Sequence, residues 1–122
     1  VEFISILNTQ KPTFPFATKY QVLSTGKVEN LNLVSEHGWA KLAGGEALSF
    51  YCANGNVGFC VFRIDINSTD GPNIGGRDYF MMYVNKKNNE IYDGYASTNC
   101  GTTKDGQGCF AKLLENNWEM NY

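Results

Sequence analysis

Long apolar runs are missing from this sequence. No stretch of about eighteen consecutive apolar residues occurs, so nothing in it reads as a membrane-spanning helix. Excess charge is missing as well: 10 Lys and Arg against 12 Asp and Glu leave a net charge of −2. The basic residues are scattered, as in Lys86 and Lys87, and form no patch of the kind nucleic-acid binding requires. Histidine is reduced to His37, beside Gly38 in an expected turn or frayed helix. There is no HExxH, GxSxG or phosphate-cradling loop. Paired carboxylates could in principle do acid–base work, but the acidic loop is expected to lack an apolar wall that would raise one pKa. The reading is therefore of a protein that is not an enzyme. Repeats and low-complexity segments are absent too.

What is present is a core-forming composition. Eight Phe, seven Tyr and two Trp in 122 residues are enough to expect a folded core, and the length suits one domain spanning residues 1–122. The chain begins at Val1 rather than Met and is expected to be a fragment of a longer protein. Residues 1–30 hold two prolines within "KPTFPFATKY" and are expected to form an extended or looped leading segment with a turn at Gly26. Ser35 is a candidate cap for a short helix that Gly44-Gly45 would end. Ala47 to Ala53 and Val57 to Ile66 read as two strands of a hairpin turned by Asn54-Gly55-Asn56. Asp78 to Val84 reads as a third strand, Glu90 to Tyr92 as the start of a fourth, and Phe110 to Asn116 as about two helical turns. The expected class is α+β, with an antiparallel sheet of about four strands and little helix.

Four cysteines in a small Gly- and Asn-rich chain point to disulfides and an oxidising compartment. Of three possible pairings, the local one, Cys52–Cys60 with Cys100–Cys109, is favoured because each pair brackets a turn-rich loop. Closing such loops stabilises by about 2–3 kcal/mol each in the chain-entropy model. The rival is a zinc site, though seven and eight intervening residues are not the spacing of zinc knuckles.

The most unusual stretch is "DINSTDGPNIGGRD", Asp65 to Asp78. A plain turn between strands takes two to five residues. Here Asp65, Asn67, Asp70, Asn73 and Asp78, with Thr69, supply hard oxygen donors, and glycines supply flexibility. That is a candidate calcium loop. It is not an EF-hand: the sixth position is Asp70 instead of Gly, and the twelfth is Gly76 instead of Glu. The competing reading is a solvated loop of Asx turns. Asn67-Ser68-Thr69 also fits a glycosylation sequon by composition alone.

"IDINSTDGPNIGGRDYFMMYV" resembles a pattern of bacterial type IV pilin-like and type II secretion pseudopilin-like proteins. The matching positions are Asp65, Asn67, Gly71, Pro72, Asn73, Gly76, Asp78 and Phe80. The ending "NCGTTKDGQGCFAKLLENNWEMNY" is similar to the family's C-terminus at Cys100, Gly108, Cys109, Ala111, Trp118, Met120 and Tyr122. The resemblance covers roughly residues 35–122. One departure is that Asn67 is followed by Ser68, where the family has Gly.

The resemblance implies a pilin-like head, a structural subunit of a surface filament or secretion pseudopilus. Its partners would be other pilin or pseudopilin subunits. It would sit outside the cell or on its surface, periplasm-facing in a pseudopilus. The membrane would be reached only through an apolar N-terminal helix that this chain lacks. Calcium would be its only cofactor, and Trp118 and Tyr122 would pack back onto the sheet, with a neighbouring subunit as the less favoured contact. The alternative is a secreted calcium-dependent adhesin or lectin-like module, with Tyr79, Tyr83, Tyr92 and Tyr95 stacking on sugars.

Overall fold

The computed structural model describes residues 16–31, 38–52 and 58–122. The expected Ser35 cap, His37, the Asn54–Asn56 turn and the first fifteen residues lie outside the described residues. Seven strands and one α-helix are described: β1 (Lys19–Gln21), β2 (Val28–Asn30), β3 (Gly38–Lys41), β4 (Ala47–Cys52), β5 (Phe59–Asp65), β6 (Tyr79–Asn85), β7 (Ile91–Tyr92) and α1 (Cys109–Glu115). A 3-10 turn at Ser97–Asn99 precedes the helix. The protein is thus mostly sheet with little helix.

Strands β3 to β7 form one antiparallel sheet in sequence order, and β1 and β2 form a separate hairpin. Two expectations change here. The main sheet has five strands rather than about four. The extra one is β3, in "GWAK", just where a Gly44-Gly45 stop had suggested the end of a helix. Trp39 pairs with Ser49 and Ala40 with Leu48, so cross-strand burial of the Trp ring outweighs any local helical preference.

The second change concerns the leading segment, which is more than a surface loop. Val22 N–H donates to the Lys27 carbonyl at 2.8 Å, and Gly26, at φ 71°, makes the β1–β2 reversal. The hairpin delivers Tyr20, fully buried, against Tyr79, also fully buried; their ring centroids are 4.9 Å apart. Phe16 meets Tyr79 edge-on at 5.8 Å, and Ala47 completes the cluster, with Trp39 and Leu31 packed around it.

Alternation along the strands sorts side chains into two faces. The register puts Ser49, Arg63 and Met81 in one row, and Ala47, Asp65 and Tyr79 in the next. This first face receives the β1–β2 hairpin. The second face carries Leu48, Phe50, Phe62, Ile64, Phe80 and Met82 and is apolar along its length.

Both cysteine pairs are joined. Cys52–Cys60 links directly paired positions of β4 and β5. Cys100–Cys109 ties the 3-10 turn to the first residue of α1, and Cys109 is fully buried. No described cysteine is free.

Candidate functional site

The Asp65–Asp78 connection is a built loop. Asp65 Oδ1 accepts the Asn67 N–H at 3.2 Å, Asp78 Oδ2 accepts the Ile74 N–H at 3.0 Å, and Asn67 Nδ2 donates to the Pro72 carbonyl at 2.9 Å. These are the Asx-type contacts that let a short polar side chain hold its own backbone. The Gly71–Pro72 peptide is cis. Strand β1 grips the loop from outside: Gln21 N–H donates to the Asn73 carbonyl at 2.8 Å, and Gly75 N–H to the Gln21 carbonyl at 3.1 Å. The C-terminal disulfide loop presses on it from the other side. A Cβ at Gly76, whose φ is +86°, would sit 2.4 Å from Cys109 Sγ, so only glycine lets the two loops touch.

The candidate calcium residues are unequally placed. Asp65 is fully buried, Asn67, Asn73 and Asp78 are half-buried, and Asp70 is exposed. Burial pushes the Asp65 carboxyl up to about 7, and the neighbouring Asp78 charge pushes the same way, against the Asn67 amide. The Asp78 carboxyl is raised as well, chiefly by burial. This corrects the expectation that the acidic loop lacks an apolar wall: packing encloses Asp65 completely and supplies one. Three oxygens of the loop, Asp65 Oδ2, Asn67 Oδ1 and Asn73 Oδ1, are buried without a hydrogen-bond partner. Among the described residues, no three His, Cys, Asp or Glu side chains gather as a metal-holding group.

The second face carries a different feature. Helix α1 starts after Gly108, at φ 79°, and Asp93 Oδ2 accepts the Ala111 N–H in its first turn at 3.1 Å. A carboxylate there suits the partial positive charge of the helix start. The helix ends in a Schellman-like reversal, with the Trp118 N–H donating to the Leu113 carbonyl at 2.7 Å. Asn117 (φ 53°) and Trp118 (φ 68°) are consecutive left-handed residues. Such a conformation costs a bulky side chain about 1–2 kcal/mol.

The reversal separates the fates of the two terminal aromatics. Tyr122 is half-buried and strapped to the loop: its hydroxyl donates to the Gly76 carbonyl at 2.8 Å, and Arg77 bonds its main-chain oxygen and lies over its ring. Trp118, expected to pack back onto the sheet, is instead 65% exposed and touches only Phe110 among the described rings, edge-on at 5.8 Å, because the left-handed reversal turns it outward.

Between this tail and the sheet runs an apolar groove of about 590 Å³. Its sheet wall includes Ile64, Ile66 and Ile91, and its tail wall Leu114, Trp118 and Met120. Five of the seven exposed large apolar residues among those described, Ile66, Ile91, Leu114, Trp118 and Met120, line it. Sequence reasoning singled out Trp118 but missed the sheet wall. Its signal was the alternation Phe62-Ile64-Ile66, which runs one step past the end of β5.

Of the four tyrosines considered for sugar stacking, Tyr79 is fully buried and cannot stack on anything outside the protein. Tyr83, Tyr92 and Tyr95 do form a ladder, with Tyr83–Tyr92 centroids at 5.6 Å and Tyr83–Tyr95 at 6.3 Å. Set against protein-family models, curated proteins and solved structures, the chain finds no match in any of the three.

Proposed function

We propose that the chain is the displayed head of a structural subunit, a pilin or minor pseudopilin, of a surface filament or secretion pseudopilus. The observation that carries this reading is the groove, where the exposed large apolar side chains are concentrated around a strained Trp118. Contiguous exposed apolar patches mark interaction surfaces, and in this reading the groove receives a neighbouring subunit. The pilin-like motifs at Asp65–Phe80 and Cys100–Tyr122 support the same reading. In it, the partners are other subunits, the head lies outside the cytoplasm, and a helix outside this sequence supplies the membrane anchor.

Trp118→Asp in the full-length protein tests it. Because the side chain is exposed, the melting temperature of the head should stay within about 1–2 °C. Filament or pseudopilus yield should fall by more than about tenfold, as expected for loss of a central aromatic anchor. Normal assembly by this variant, or a gene whose upstream sequence encodes no cleavable apolar helix, overturns the proposal.

Calcium belongs to this reading as a ligand of the Asp65–Asp78 loop. The three partnerless oxygens are of the hard type that calcium takes, and Asp78 and loop carbonyls would complete the set. Saturating calcium is expected to raise the melting temperature of the chelator-treated head by about 5 °C, the shift that about 1–2 kcal/mol of linkage gives at this size. An unchanged melting temperature retires the metal.

A further inference from the structure

The first face of the sheet holds a second, smaller cavity, of about 230 Å³, that the subunit reading does not use. Arg63 and Met81, directly paired on β5 and β6, form its floor with Tyr83. Tyr95 stands at its rim, and Asp105 and Gln107 descend from the disulfide-closed loop. Ordinary small-molecule sites are about 300–1,000 Å³, so this one is sized for a single small ring.

Its chemistry narrows the ligand. Arg63 offers only donors, Asp105 only acceptors, and Gln107 both, all on planar groups. The guanidinium and the carboxylate offset one another, so the pocket as a whole favours no net charge. A ligand carboxylate would meet Asp105, and a ligand ammonium would meet Arg63. Neighbouring hydroxyls, each a donor and an acceptor, suit this mixture. Tyr95 is 38% exposed and presents an aromatic surface for the C–H face of a ring.

Two buried hydroxyls share this face of the sheet with Arg63 and Met81. Tyr79 is fully buried and its hydroxyl lacks a hydrogen-bond partner. Burial holds that hydroxyl well above its ordinary pKa, and the charges acting on it include Arg63 and Asp105, both pocket residues. Ser49 Oγ, on the strand position facing Arg63, is buried and partnerless too. Neither hydroxyl lines the cavity, so they mark this face of the sheet as polar rather than contact the ligand.

We propose that this pocket binds one neutral monosaccharide unit, with Arg63, Asp105 and Gln107 bonding its hydroxyls and Tyr95 covering its ring. This is a binding activity independent of subunit assembly, and it uses no calcium.

The test is NMR titration of the labelled head, in chelator, with the methyl glycosides of glucose, galactose, mannose and N-acetylglucosamine, and with glutamate as a charged comparison. At least one glycoside should shift the Arg63 Nε–H and Gln107 amide signals with a Kd of about 1–10 mM, the weak range expected for one small ring. Asp105→Asn and Gln107→Ala, both on the covering loop, should each weaken binding by about tenfold. Tyr95→Ala should do the same at unchanged melting temperature. No shift with any glycoside, equal binding by the three variants, or tighter binding of glutamate than of any glycoside overturns the proposal.

Discussion

Urea unfolding of the chelator-treated protein is expected to show stability falling as pH rises from about 4 to 7, and Asp65→Asn is expected to remove most of that fall. The sign follows from proton counting. Burial holds the folded carboxyl at about 7, while the unfolded one keeps the ordinary aspartate value of 3.8. Between those values the folded state binds the proton that the unfolded state has released. Raising the pH through this window therefore favours unfolding, and above about 7 the loss is complete. A shift of this size corresponds to about 4 kcal/mol. Asparagine keeps the oxygen that accepts the Asn67 N–H and carries no charge beside Asp78. The variant should thus be the more stable protein at pH 8, with its advantage shrinking as the pH falls towards 4. A difference between the two proteins that does not change with pH would show that Asp65 does not titrate in this window.

The second large effect is expected at Tyr79. Truncation to alanine removes a fully buried ring from the contact of Phe16 and Tyr20 and should cost about 3–5 kcal/mol. Tyr79→Phe separates the ring from its hydroxyl. The hydroxyl has no protein partner, so losing it should be neutral or stabilising by about 1 kcal/mol in the ligand-free protein. Denaturant midpoints of the two variants give both numbers. A phenylalanine variant as damaged as the alanine one would place the value of Tyr79 in a hydrogen bond rather than in packing.

The parts of this fold that were legible are those whose pattern outlasts local noise. Strands β4, β5 and β6 are six or seven residues long and rich in Phe, Val, Ile and Tyr, and turn residues bound them. Strands β1 and β2 are three residues each, too short for any period to register, and β1 follows a proline-bearing stretch. Nothing local marks Tyr20 as a core residue, because its burial depends on a hairpin landing on a sheet formed some sixty residues later. Strand β3 was misread for a related reason: Gly44-Gly45 is an equally good stop for a helix or a strand, and only the pairing of Trp39 with Ser49 decides between them.

The candidate site divides in the same way. The donor residues of the acidic loop were visible as composition. Which of them are buried was not, because Asp65 is enclosed by tertiary packing and Asp70 is left outside by the loop's own turns. The exposure of Trp118 is set by a backbone reversal that sequence does not signal, since a left-handed Trp is rare in any context. The Arg63–Asp105 pocket joins residues forty-two positions apart and carries no motif at all.

The order of strands in the main sheet bears on how the chain reaches this form. Each of β3 to β7 pairs with the strand next to it in sequence, so every pairing step closes a short stretch of chain. Such steps are fast, and the meander can zip from any of its hairpins. The two ends have farther to travel: Tyr20 must find Tyr79, and the segment after Cys100 must settle on Gly76. Closing the nine-residue Cys100–Cys109 loop is local, whereas its docking on Gly76 is expected to follow formation of the sheet.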